Sequence, residues 1–138
     1  MNINCKGQLL DLTTPKVMGI LNLTPDSFYD GGKYSTPKTV LEQTEKMLKE
    51  GATFIDVGAY SSRPDAQHIT EEEELNRIVP IIELLVKEFP EILLSIDTFR
   101  SKVAQETVNA GAAIINDISG GSLDKQMFKT AAKLQVPY

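Results

Sequence analysis

The chain has 138 residues, with 14 Lys and Arg against 19 Asp and Glu and a formal net charge of −5. That length is enough for one compact domain with its own core, and the negative balance argues against nucleic acid or an anionic membrane as the main partner. No run approaches the roughly 18 apolar residues of a membrane span. The start, Met1-Asn2-Ile3-Asn4-Cys5-Lys6, has neither a basic n-region nor a long apolar stretch. Cys5 is the single cysteine, which excludes an internal disulfide and a cysteine zinc site and points to a reducing, cytoplasmic setting.

Short β-branched runs alternate with segments of helical period, the pattern of βα units on a parallel sheet. Ile3 to Leu12, around Lys6-Gly7, fits a small hairpin ahead of the first unit. The first strand is predicted at Val17 to Leu21. A helix follows over Pro37 to Glu50, with Thr36 as N-cap, Pro37 at the first helical position and Gly51 closing the far end. The second strand is Phe54 to Val57. Thr70 and Glu73 then make a capping box for a long helix whose stripe is Leu75, Ile78, Val79, Ile82, Leu85, Val86 and Phe89, with Pro80 as a place for a kink. Ile92 to Ile96 is the third strand, and Ser101 is expected to cap the next helix, which ends near Gly111. Ala113 to Asn116 is the fourth, followed by Ser119-Gly120-Gly121 and a helix from about Asp124 to Leu134. Val136-Pro137-Tyr138 reads as the start of a fifth strand. No linker divides residues 1–138, which read as a single domain.

An open doubly wound sheet and the opening half of a closed barrel both accommodate this alternation. The Gly-rich dinucleotide fingerprint after the first strand is missing, which lowers the former. A whole barrel takes about 250 residues, so the chain would hold about half of one.

In a barrel, the C-terminal ends of the strands carry the chemistry. Here strand one delivers Asn22, strand two carries Asp56 and Gly58, strand three delivers Asp97 and Thr98, and strand four delivers Asn116 and Asp117. Any one of them is explained as well by a turn cap; their coincidence at four strand ends favours a site. For Asp56, inside its strand, a buried structural hydrogen bond is the expected role. Glu71 to Glu74 are expected to complement the helix dipole and face water. His68 sits in a polar loop, Met47 and Met127 read as core, and Gly31-Gly32 as a flexible loop.

Val17-Met18-Gly19-Ile20-Leu21-Asn22-Leu23-Thr24-Pro25-Asp26-Ser27-Phe28 closely resembles the first signature of dihydropteroate synthases, and Asp56-Val57-Gly58 with Ser61-Ser62-Arg63-Pro64 resembles their second. Ser95-Ile96-Asp97-Thr98 and Ile115-Asn116-Asp117-Ile118 match two further segments in order. The resemblance implies an α/β fold, the first half of a (β/α)8 TIM barrel with about four βα units and the start of a fifth strand. It also implies a transferase that condenses 6-hydroxymethyl-7,8-dihydropterin diphosphate with para-aminobenzoate to give 7,8-dihydropteroate and diphosphate. Implied roles are Asn22 as oxygen ligand to Mg2+, Asp97 as acceptor from a pterin N–H and stabiliser of a cationic intermediate, and Asn116 as reader of a pterin edge. Ser62, Arg63, Pro64 and Phe28 would line the aminobenzoate side. Ser62 stands where many members have Thr, which keeps the hydroxyl, and Ala59-Tyr60 replaces the common Gly-Glu pair, which alters the shape of that loop.

The family's later Asp and Lys for the pterin, and its Arg and His for the diphosphate, have no counterpart here; only Arg63, Lys33 and Arg100 lie near the rim as diphosphate donors. The resemblance therefore implies a full-length homodimer, and a 138-residue piece that is inactive alone and self-associates. Pterin-binding methyltransferases share the barrel and the pocket but need neither loop signature. A non-catalytic pterin-binding module would tolerate loss of Asn22 and Arg63, and both are present.

Overall fold

The computed structural model describes residues 1–23, 36–59 and 68–138. It opens on an antiparallel hairpin of β1 (Asn2–Cys5) and β2 (Gln8–Asp11). Lys6 and Gly7 both have positive φ, 54° and 82°, as a two-residue turn must if it is to match the twist of its strands. Cys5 is fully buried and clusters with Phe54 and Ala113, with Ile3, Leu10, Leu12, Leu93 and Ile114 packed around it. The hairpin thereby covers the N-terminal end of the main sheet.

That sheet, among the described residues, is parallel and runs β3 (Met18–Asn22), β4 (Phe54–Gly58), β5 (Leu94–Asp97), β6 (Ile114–Asn116) in unbroken chain order. Between and after the strands come α1 (Pro37–Lys49), α2 (Glu71–Glu88), α3 (Ser101–Asn109) and α4 (Met127–Leu134), each touching the next. A doubly wound sheet reverses its strand order at a switch point. This one does not, so right-handed crossovers place every helix on the same face. The arrangement is a barrel segment, as the spacing of the elements suggested.

Strand parity assigns the two faces. Leu21, Ile55, Val57, Leu94 and Ile96 turn toward the helices and bury with Val40, Ile78, Ile82, Leu85 and Val103 in one apolar cluster. Burying each such large side chain contributes about 1.5–3 kcal/mol relative to exposure. Gly19 lets α1 approach the sheet: a Cβ there would lie 2.7 Å from Met47 Sδ. The opposite, inward face carries Ile20, Asp56, Ser95 and Ile114 in one register row, and Asn22, Gly58, Asp97 and Asn116 in the row at the strand ends.

Helix starts follow side-chain chemistry. Thr36 caps α1 by accepting from Thr39 N at 3.2 Å while its own N–H donates to Thr39 Oγ1 at 3.0 Å. Thr70 caps α2 by accepting from Glu73 N at 3.2 Å. Pro80 stays within α2 on its exposed side, where water can serve the carbonyl that lacks its helical donor. Ser101 is not the cap of α3. Arg100 holds that position without a side-chain bond, and the Ser101 N–H donates instead to Asp124 Oδ2 at 2.7 Å. Asp124, expected as the start of the last helix, is thus spent on its neighbour and on the Gln126 N–H, and α4 begins at Met127. Val136 to Tyr138 form no strand, yet Ile115 N donates to Pro137 O at 3.0 Å, so the segment lies beside β6. No helix of the described residues is long and apolar enough to cross a membrane.

Among the described residues β3 pairs on one side only and β6 has beyond it only the Ile115–Pro137 bond, and the inward face leaves Ile20 56% and Met18 38% exposed. Unpaired edges with adjoining apolar surface drive association. Expressed as these 138 residues, the chain is expected to self-associate. A monomer by size-exclusion chromatography with light scattering at tens of micromolar would contradict this.

Candidate functional site

Asn22, Gly58, Asp97 and Asn116 are the last residues of their strands and also one continuous row of register partners. The row continues in the backbone, where Leu23 N donates to Gly58 O at 2.8 Å and Thr98 N to Asn116 O at 3.1 Å. Gly58 is the gap in it. A Cβ at that position would press on Asp97, 3.3 Å from its Cβ and 3.4 Å from Oδ2, so the missing side chain gives the carboxylate room. Leu23 and Ala59, each one residue beyond the row, are buried at 5% and 1% exposure. They anchor the ends of β3 and β4 in the core.

The inward face is acidic. Asp97 is pushed up to about 6, first by burial and then by the charges of Asp56, Glu74 and Asp117. Asp56 is 4% exposed and accepts from Asn116 Nδ2 at 3.1 Å, while its Oδ1, like the Ser95 Oγ beside it in register, is buried without a partner among the described residues. The structural hydrogen bond expected of Asp56 is therefore present, but to a site residue, and it uses only one of the two oxygens.

Behind the row lies a second polar group. Glu74 is fully buried, accepts from Thr98 Oγ1 at 2.8 Å, and pairs with Arg100, whose other guanidinium nitrogen donates to Ile69 O at 2.7 Å. The expectation that Glu74 faces water is wrong: it stands one turn before Ile78 on the helix face that meets the sheet. The assignment of Arg100 to diphosphate also fails, because its side chain is only 17% exposed and is committed to Glu74 and Ile69. The network ties the residue after Asp97 to Ile69, just ahead of α2.

Asp117 is taken up locally, accepting from Ser119 N, Ser119 Oγ, Gly121 N and the Tyr138 hydroxyl at 2.7–3.0 Å. Asn22, Asp97 and Asn116 are brought together; Phe28, Ser62, Arg63, Pro64, Lys33 and Gly31-Gly32 lie outside the described residues. His68 is exposed. Sequence reasoning did not find Ser95 or the Asp56–Asn116 pairing, although parity offered the signal: Asp56 and Ser95 each stand two residues before a member of the row.

The family model described as pterin binding enzyme matches residues 18–138. A folic acid synthesis protein of Pneumocystis carinii is 54% identical over 121 residues, which cover 88% of this chain and 16% of that protein. A crystal structure of Yersinia pestis dihydropteroate synthase with a sulfonamide drug complex superimposes with a TM-score of 0.89 at 44% identity, covering 99% of this chain and 49% of that one. The Xanthomonas albilineans dihydropteroate synthase with 4-aminobenzoic acid superimposes with a TM-score of 0.87 at 40% identity, covering 99% and 50%. The chain thus spans about half the length of these solved synthases and less of the fungal protein.

Two outcomes follow from the electrostatics. Arg100→Leu leaves the Glu74 carboxylate buried without its cation, and is expected to cost about 3–5 kcal/mol in urea unfolding; a loss below about 1 kcal/mol would show the pair to be dispensable. Asp97 has a folded-state value of about 6 above its ordinary 3.8. The folded state therefore binds more protons in that interval, and stability falls as pH rises through it. Asp97→Asn removes that dependence, so its melting temperature should exceed the parent's above pH 6 and lose that gain below 3.8. Parallel melting curves across the range would contradict the cause assigned.

Proposed function

Because the chain belongs to the pterin binding enzyme family, we propose that it is the N-terminal half of a dihydropteroate synthase. The full-length protein would join 6-hydroxymethyl-7,8-dihydropterin diphosphate to para-aminobenzoate, releasing diphosphate and 7,8-dihydropteroate. The observation that carries this reading is the row of Asn22, Asp97 and Asn116 at the strand ends, with a gap at Gly58 and an acidic surround. A pterin is flat and carries N–H donors beside ring acceptors. Carboxylate and amide side chains on one strand-end row suit it, and the Gly58 gap leaves room over the sheet.

The methylene carbon beside the dihydropterin ring loses diphosphate with substantial cation character. A carboxylate held in a partly desolvated place beside that carbon stabilises the charge more than it would in water. Asp97 suits that role as the anion of the row, and burial with the charges of Asp56, Glu74 and Asp117 raises its value to about 6. The proposed aminobenzoate contacts, Phe28 and Ser62, Arg63 and Pro64, follow Leu23 and Ala59 in sequence, and those two buried residues adjoin the row.

Magnesium fits as an ion with few protein ligands. The described residues offer no group of three or more His, Cys, Asp or Glu for a metal, and Asn22 supplies one side-chain oxygen at the exposed end of β3. A hard cation that keeps its waters and binds mainly to substrate phosphate needs little more. Bound there, it would lower the barrier to diphosphate departure. Arg63 and Lys33 are the proposed local cations for the diphosphate, with the remaining donors outside these 138 residues. A cytoplasmic homodimer is the proposed setting, in keeping with the single buried Cys5.

Steady-state kinetics of the full-length enzyme with both substrates varied test this. Preorganised electrostatic groups commonly contribute roughly 3 kcal/mol to a barrier, so Asp97→Asn should lower turnover on the order of a hundredfold. The same substitution should change the aminobenzoate KM much less, whereas Arg63→Ala should raise the aminobenzoate KM more than the pterin KM. Near-normal turnover in Asp97→Asn would return Asp97 to a turn cap.

A further inference from the structure

The Asp56–Asn116 bond runs beneath the proposed pterin pocket. Asp56 lies on β4, one row below the strand ends, and reaches across β5 between Ser95 and Asp97 to the side-chain amide on β6. Asp56 is 4% exposed, whereas Asn116 is exposed. The buried partner is thus placed to orient the accessible one. A carboxylate only accepts hydrogen bonds, so Asn116 must turn its NH2 toward Asp56, and a side-chain amide has two ends of opposite character. With one N–H spent at 3.1 Å on Asp56 Oδ2, the carbonyl oxygen and the second N–H remain, in an order that cannot reverse while the bond holds.

We propose that Asp56 is the positioning residue of this site, fixing the donor–acceptor order of the Asn116 amide and so selecting a planar heterocycle whose edge carries the complementary order. This rests on the pterin-site reading above. A second observation agrees. Asp56 Oδ1 and Ser95 Oγ, neighbours in register, are both buried without partners among the described residues. Buried polar atoms are rarely left so without a role. Here they form a polar floor able to accept from a ligand N–H, or from a water beneath the ligand.

Exchanging the two side chains provides the test, in the full-length enzyme. Asn116→Asp sets two carboxylates against each other; Asp56→Asn lets the amide at 116 settle either way. The exchange, Asp56→Asn with Asn116→Asp, restores an N–H to carboxylate bond and keeps an acceptor toward the ligand. The dihydropterin diphosphate KM should rise on the order of a hundredfold in Asn116→Asp and about tenfold in Asp56→Asn, with smaller changes in kcat and in the aminobenzoate KM. The exchange should recover at least about tenfold relative to the product of the single effects, the coupling expected of a contacting pair.

Melting curves establish that each variant is folded, and if either single variant is not, the exchange carries the test against the parent. Single effects that simply multiply in the exchange, or losses that fall equally on both substrates, would overturn the role of Asp56. Parent enzyme that makes no dihydropteroate would overturn the synthase reading instead. Calorimetric titration of parent and variants with 6-hydroxymethylpterin then decides on Asp56 alone, with weakened binding in Asp56→Asn supporting its role and unchanged binding overturning it.

Discussion

Parallel pairing holds Asn22, Gly58, Asp97 and Asn116 in one row, and the register of four strands is what makes them a candidate site. Side chains alternate across a sheet, so a slip of one residue in β5 would swing Asp97 to the helix face and Ile96 to the mouth. What prevents the slip is the other face. Ile55, Val57, Leu94 and Ile96 are fully buried against the helices, and a one-residue slip of their strand would turn them away from that face. The apolar core therefore sets the position of polar groups it does not touch. The hairpin adds to this from below, since its Ile3, Leu10 and Leu12 pack against Phe54, Ala113 and Ile114 at the opposite end of the strands.

The row sits in a surround that opposes its own charge. Asp97 is raised to about 6 by burial and by three further carboxylates. The fold offsets one of these through Arg100 on Glu74, and ties a second, Asp117, into its loop with donors from Ser119, Gly121 and Tyr138. Nothing among the described residues pairs a cation with Asp56, which has the Asn116 amide instead. On the proposed reading, the negative charge gathered around Asp97 suits a donor-rich or cationic occupant.

The elements were legible in the sequence because each left a local mark: the Lys6-Gly7 turn, Thr36 ahead of Pro37, and the stripe from Leu75 to Phe89. The strand-end row of Asn22, Asp97 and Asn116 was legible because apolar runs ended in Asn or Asp. Errors arose where a residue had two local readings and a tertiary contact chose between them. Glu74 belongs to a run that suits a helix N-terminus, yet its spacing to Ile78, Ile82 and Leu85 continues the buried face. Arg100 looked like a rim cation until Glu74 and Ile69 claimed it. Ser101 looked like a cap, but its backbone N–H is served by Asp124, far along the chain. Pairings such as Asp56 with Asn116, 60 residues apart, exist only once the sheet has formed.

The same contacts suggest how the two halves of the proposed chemistry are coordinated. Thr98 Oγ1 donates to Glu74, accepts from Arg100 N, and follows Asp97 directly; Arg100 in turn holds Ile69 O, just ahead of α2. On the proposed reading, Asp97 works on the pterin and residues 62–64 on the aminobenzoate. Buried, charge-assisted bonds through Glu74 and Arg100 would then help set the distance between the two substrates. Reaction between bound partners gains most when they are held in an attack geometry rather than merely captured. An apolar residue at position 74 would supply core stability as well, but it could not join Thr98, Arg100 and Ile69 through one side chain and its cation.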